Sequence, residues 1–215
     1  MEEGLADDWI PLLCCWIAGM RDVERLIEVF NHEGEVKMEF IAFPKMPRLT
    51  REVIVTEKVD GTNAQICITE DGQFLVGSRT RWITPEDDNF GFAKWAYENK
   101  DDLMKLGIGC HFGEWWGAGI QRKYALDEKR FSLFNVSRWN DPTERPKCCH
   151  VVPTLYRGMF DTSVIETVLE NLKNNGSIAS PGFMKPEGIV VYHVAGGFGF
   201  KKTIEKDELP KGLAA

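Results

Sequence analysis

A single lysine, Lys58, stands at the end of a β-branched run, Val53-Ile54-Val55-Thr56, and directly before Val59-Asp60-Gly61. A lysine held there is pinned by a sheet, and its amine is a nucleophile once burial or a neighbouring cation lowers its proton affinity. By itself Lys-x-Asp-Gly also describes a solvated lysine at a hairpin end. The rest of the chain changes the balance. Ser78-Arg79, Phe112-Gly113-Glu114-Trp115-Trp116-Gly117, Phe131-Ser132-Leu133-Phe134-Asn135-Val136, Pro186-Glu187-Gly188-Ile189-Val190-Val191-Tyr192 and Phe200-Lys201-Lys202 follow in that order. They supply carboxylates, which accept hydrogen bonds and favour hard cations, and amines and guanidinia, which stabilise phosphate oxygens. An amine nucleophile with carboxylates and further cations suits phosphoryl or nucleotidyl transfer.

That ordered set resembles the covalent nucleotidyltransferases, the superfamily of polynucleotide ligases and messenger-RNA capping enzymes. It is most similar to the ATP-dependent RNA ligases, especially the branch that seals nicks in duplex RNA. Phe43-Pro44-Lys45-Met46-Pro47-Arg48 and Gly61-Thr62-Asn63 are particularly like that branch. The resemblance implies an α+β nucleotidyltransferase domain, ATP-grasp-like, with antiparallel sheets and inserted helices. It also implies a reaction: Lys58 takes up AMP from ATP, the AMP passes to a 5′-phosphate, and a 3′-hydroxyl displaces it. The implied cofactors are ATP and Mg2+ or Mn2+, and the implied partners are RNA ends or a nicked duplex, with DNA as the alternative.

The same resemblance distributes roles. Lys58, Glu187, Lys201 and Lys202 form the catalytic set, with Glu187 near the metal and the two lysines as candidates to clamp the α-phosphate. Glu57, Asp60, Gly61 and Asn63 join the nucleotide site. Glu114 accepts from a ribose hydroxyl, Arg79 contacts substrate or ribose oxygens, and Phe134 stacks on adenine with Phe131 as the alternate. Asp60 either orients Lys58 or caps the turn. One of Trp115 and Trp116 packs inward and the other lies at the site mouth, since neighbours on a strand point opposite ways. The family's final motif alternates lysine, any residue, lysine. Here Lys201 and Lys202 are adjacent, so only one can face the site, and Lys201 is the choice.

The positioning elements follow from pattern. Strands are expected over Val53–Thr56 and 64–69, joined as a hairpin by Asp60-Gly61, and over 74–77, 108–116 and 130–136. A second hairpin turns at Ala195-Gly196-Gly197 between 188–194 and 198–202. Helices are expected over 20–30, where Val23, Leu26, Ile27 and Phe30 share a face, and over 90–105. A third opens on a capping box at Ser163-Val164-Ile165-Glu166 and closes at Asn174-Asn175-Gly176. Asn140 to Pro146 is a loop by its breakers.

The family-like region begins near Phe40, so residues 1–37 form an extension, expected to be helical, and 38–215 the transferase domain, with Met38 a candidate start. Little chain remains beyond Lys202 for an accessory C-terminal domain, so a minimal form is expected. A capping guanylyltransferase would need GTP and a C-terminal barrel. A net charge of -7 over 215 residues is unlike a protein that grips long nucleic acid through its phosphates, so contacts are expected to be confined to an end. No apolar run is long enough to span a bilayer, and the 6 cysteines form no secreted disulfide pattern, which predicts an intracellular protein, cytoplasmic or nuclear. The alternative from a different class is a zinc-binding interaction module built from Cys110-His111 and Cys148-Cys149-His150.

Overall fold

A computed structural model describes Phe43 and residues 45–208. The expected helix over 20–30 and the Met38 boundary lie outside the described residues. The chain divides between Lys45 and Met46, and all elements below belong to the second unit.

Two sheets form this unit. The first has the order β7-β1-β8-β9 and consists of β1 (Glu52–Lys58), β7 (Thr154–Met159), β8 (Gly188–His193) and β9 (Phe198–Thr203). The second, in the order β3-β2-β4-β5-β6, consists of β2 (Thr62–Ile68), β3 (Phe74–Gly77), β4 (Gly109–Gly117), β5 (Lys129–Leu133) and β6 (Cys149–Val151). Every pairing is antiparallel except β5 with β6. The β-branched run of β1 suits a strand with neighbours on both edges, and Val53 to Thr56 are all buried. Alternate residues then face different layers. Val53 and Val55 pack with Ile189 and Val191 against helix residues Ile165, Leu169 and Leu172, while Ile54 packs on the other face with Val59, Trp116 and Val136.

Asp60-Gly61 does not close a hairpin. β1 pairs with β7 and β8, and β2 pairs with β3 and β4, so residues 59–61 carry the chain from one sheet to the other. The expected helix over 90–105 is broken at Asn99 into α1 (Phe92–Glu98) and α2 (Lys100–Leu103), followed by a 3-10 turn at Met104–Leu106. Asn99 donates its side-chain amide to the carbonyl of Trp95 at 2.8 Å, the local competition that makes asparagine a poor interior helix residue. The strand expected over 130–136 stops at Leu133, because Asn135 caps the short helix α3 (Val136–Trp139) by accepting from the amide of Arg138. The last helix, α4 (Thr162–Asn175), is capped by Asp161 rather than by Ser163, whose amide donates to the Asp161 carboxylate at 2.7 Å. Gly176, at φ 82°, closes it as expected.

Both tryptophans of β4 are buried. Trp115 sits in the core of the second sheet among Phe92, Trp95 and Phe131, and Trp116 packs edge-on to Tyr124 and donates to Ser132 Oγ at 2.9 Å. Tyr124, from the loop before β5, packs on Trp116, so neither tryptophan is left exposed at a site mouth as one of the two was expected to be. The cysteines also differ from expectation: Cys67 and Cys110, directly opposed on β2 and β4, form a disulfide. That bond removes Cys110 from any zinc cluster with Cys148 and Cys149, and no group of three or more His, Cys, Asp or Glu that could hold a metal ion gathers among the described residues. Among them, no helix is long and apolar enough to cross a membrane.

Candidate active site

A cavity of about 520 Å³ opens between the two sheets, within the size range of small-molecule sites. The first sheet contributes Ile54, Thr56 and Lys58 from β1 and Val190 and Tyr192 from β8. The second contributes Asn63, Glu114 and Phe134, with Val136, Ser137 and Val152 beside them. Register explains the selection: Ile54 lies opposite Tyr192 and Thr56 opposite Val190, so even-numbered residues of both strands share the cavity face.

Lys58 ends β1 on that face, and its Nζ donates to Glu187 Oε2 at 2.5 Å. Glu187 comes just before β8, whose first residue, Gly188, pairs with Lys58. Glu114 stands across the cavity on β4, where it is buried. Its two oxygens accept from the amide of Gly61 at 3.0 Å and from Asn63 Nδ2 at 3.2 Å. Desolvation pushes the Glu114 carboxyl up to about 7 against the pull of Lys58, and the charges of Glu187 and Asp60 add to the rise. Gly61 is required here by close approach: a Cβ would come within 2.4 Å of the Trp115 carbonyl oxygen and 2.7 Å of Trp116 Cβ.

The two candidate phenylalanines separate. Phe131 is fully buried in the core, whereas Phe134, just past the end of β5, is 41% exposed and lines the cavity. The two adjacent lysines separate as well. Lys201 pairs with Val190 and so lies on the cavity side of the first sheet, outside the residues that line the cavity itself and with no polar partner among the described residues. Lys202 pairs with Ile189 on the α4 face, where its Nζ is 3.2 Å from Glu166 Oε1. Lys202 is therefore not brought to the cavity.

Three other expected site residues sit differently. Glu57 belongs to the cavity wall, but strand alternation turns its carboxylate toward the segment after α4. There it is almost fully buried and accepts from Ser177 Oγ at 2.5 Å and from the amides of Ile178 and Ala179, both at 2.8 Å. Desolvation raises its proton affinity and these bonds lower it, with a net rise. Asp60 neither touches Lys58 nor caps its own turn; its carboxylate accepts from Arg122 Nε at 3.1 Å, and its amide donates to Tyr124 OH at 2.9 Å. Arg79 is exposed in the turn after β3 and does not line the cavity.

Sequence reasoning missed Tyr192, Arg122 and Tyr124. Tyr192 was within reach, because it follows Val190 by the two-residue period of the strand. Arg122 and Tyr124 sit in an irregular loop that no periodicity points to.

No curated protein matches this chain. Structures of an RNA ligase from Naegleria gruberi are similar in fold: a variant without ligand and one with AMP and manganese, each with a TM-score of 0.56 and 21% identity, covering 72% of this chain and 50% of theirs. A third, with ATP and manganese, matches with the same score and identity over 72% of this chain and 49% of its own. The chain thus spans about half the length of those ligases. The RNA ligase family profile matches residues 51–206, from the start of β1 to just past β9 and across every wall of the cavity, so the chain belongs to the RNA ligase family.

Proposed function

We propose that this chain is the nucleotidyl-transfer part of an ATP-dependent RNA ligase that joins 3′-hydroxyl and 5′-phosphate ends. The observation that carries the reading is the Lys58–Glu187 contact of 2.5 Å at a cavity whose other wall presents Phe134 and Glu114. Adenosine would lie with its base on the exposed face of Phe134 and a ribose hydroxyl donating to Glu114. Glu114 has lone pairs left for this, because each oxygen already accepts only one bond.

The α-phosphorus then meets Lys58. The Nζ–P bond forms, the bond from that phosphorus to the bridging oxygen breaks, and pyrophosphate leaves with the electron pair. The surplus proton of the amine passes to Glu187, and Lys201 on the same face offers a cation to the α-phosphate oxygens. In the second step the 5′-phosphate of an RNA end takes the AMP from Lys58, and in the third a 3′-hydroxyl displaces AMP. The donors also suit a divalent ion held by one or two carboxylates and the phosphates, with Glu187 the nearest such group to Lys58. When bound, that ion supplies charge neutralisation for the leaving group. The solved ligase structures that hold ATP or AMP with manganese support both assignments. A nicked duplex is the substrate we favour, because a chain of net charge -7 suits contacts close to an end.

The test is covalent labelling. ATP labelled at the α-phosphate, with a divalent metal, should label the wild-type chain and not Lys58→Ala, and the bond should survive alkali and break in acid as a phosphoramidate does. A nicked RNA duplex with a 5′-phosphate should then discharge the label, and DNA strands on either side of the nick define the substrate class. A wild-type chain that takes no label from ATP or GTP would sink the proposal.

A further inference from the structure

Lys58 is flanked by two residues whose polar groups lead into other parts of the chain. Before it, the Glu57 carboxylate is held by Ser177, Ile178 and Ala179. Ser177 Oγ accepts from the amide of Ser180 at 3.0 Å, Ser180 Oγ donates to the carbonyl of Tyr124 at 2.8 Å, and Tyr124 OH accepts from the amide of Asp60 at 2.9 Å. The path leaves on one side of Lys58 and returns on the other. A second path also closes. Arg122 donates from Nε to the Asp60 carboxylate at 3.1 Å and from a terminal nitrogen to the carbonyl of Lys185 at 3.2 Å. Lys185 lies two residues before Glu187, the partner of Lys58.

Both paths run through the loop 121–125, whose backbone is unusual. Gln121, Lys123, Tyr124 and Ala125 all have positive φ, at 43°, 60°, 50° and 53°. None is glycine, and such conformations persist only where the surroundings hold them. Tyr124 is fully buried, 4.9 Å from the ring of Trp116 and 4.7 Å from that of Phe183. Desolvation raises its proton affinity further, so the phenol stays neutral.

We propose that the loop 121–125 is a positioning strap for the nucleophile, in which Tyr124 and Arg122 act through Asp60 to fix the turn that follows Lys58. Neither residue touches the nucleotide. Their effect is on how well Lys58 is aimed, which governs the rate of attack and leaves nucleotide affinity alone. This rests on the ligase reading, and the test separates the two.

Tyr124→Phe keeps the ring between Trp116 and Phe183 and removes only the oxygen that accepts from Asp60. With ATP labelled at the α-phosphate, its single-turnover labelling rate should fall about tenfold while half-saturating ATP stays within about twofold, and the Asp60 amide should exchange with solvent faster than in wild type. The double variant with Arg122→Lys should lose less than the product of the two single losses, because both act through Asp60. Ser180→Ala, which cuts the first path away from the cavity, should show the same split between rate and half-saturation. An unchanged labelling rate, or a rate loss matched by an equal rise in half-saturating ATP, overturns the strap. So does unchanged exchange of the Asp60 amide. A wild-type chain that takes no label overturns the ligase reading instead, and the Asp60 exchange still decides whether the strap holds the turn.

Discussion

Glu114 is asked to accept two hydrogen bonds from its own fold while buried across the cavity from Lys58, whose charge it feels. Its carboxyl, raised from an ordinary 4.5 to about 7, binds more protons in the folded chain than in the unfolded one between those values. Stability from this group is therefore complete below about pH 4.5 and is lost as the pH rises through about 7, by about 3 kcal/mol at most. Glu57 contributes with the same sign. Glu114→Gln should flatten this part of the stability profile between pH 5 and 7, measured by urea unfolding at several pH values. A profile as steep as that of wild type would show that Glu114 is not the group that titrates. The two adjacent lysines give a second outcome. Lys201→Ala should cut lysine labelling by roughly a hundredfold, as expected for a cation aimed at a phosphate, whereas Lys202→Ala, which loses a half-exposed pair with Glu166, should stay within about threefold of wild type. Comparable losses would mean that β9 presents the other face. Lys58, Glu114 and Glu187 were legible because motif order names them. Glu57 does line the cavity, but the partners of its carboxylate were not legible, because they lie in the segment after α4, which is remote in sequence and carries no motif.

At the scale of elements, the crossing at residues 59–61 decides how close β1 can come to β4. Gly61→Ala would drive a methyl group into the Trp115 carbonyl, which cannot give way without breaking the β2–β4 ladder. We expect a loss of about 3 kcal/mol or more by chemical denaturation and loss of labelling, because the Gly61 amide that binds Glu114 must move. Tolerance of alanine there would show that the two sheets can separate at little cost. Most strands and the closing glycine of α4 were readable from β-branched runs and turn residues. Some failures were local, such as the break at Asn99 and the cap at Asn135, and others came from a partner distant in sequence. Asp60-Gly61 looks like a hairpin because local chemistry cannot tell a turn within a sheet from a step between sheets. β6 was missed because Cys149–Val151 is short, and β7 because Thr154–Met159 lacks the alternation of an independent strand.

For the whole molecule, every cavity residue lies between Ile54 and Tyr192, and the family match runs from 51 to 206. A chain beginning at Met38 should thus accept the label from ATP at a rate within about threefold of the full chain, since it keeps every cavity residue and the whole of the family match. A folded fragment that takes no label would assign the preceding residues to the nucleotide site. The division of the cavity between two sheets has an evolutionary consequence. On the proposed reading, the groups assigned to phosphate, Lys58, Glu187 and Lys201, come from one sheet or its edge, while Phe134 and Glu114, assigned to the nucleoside, come from the other. Mutations in the second sheet can therefore retune which base is accepted without disturbing the bond-making groups. A lineage changing its nucleotide donor would be expected to leave its record on β2, β4 and the residues after β5, with β1, β8 and β9 inherited unchanged.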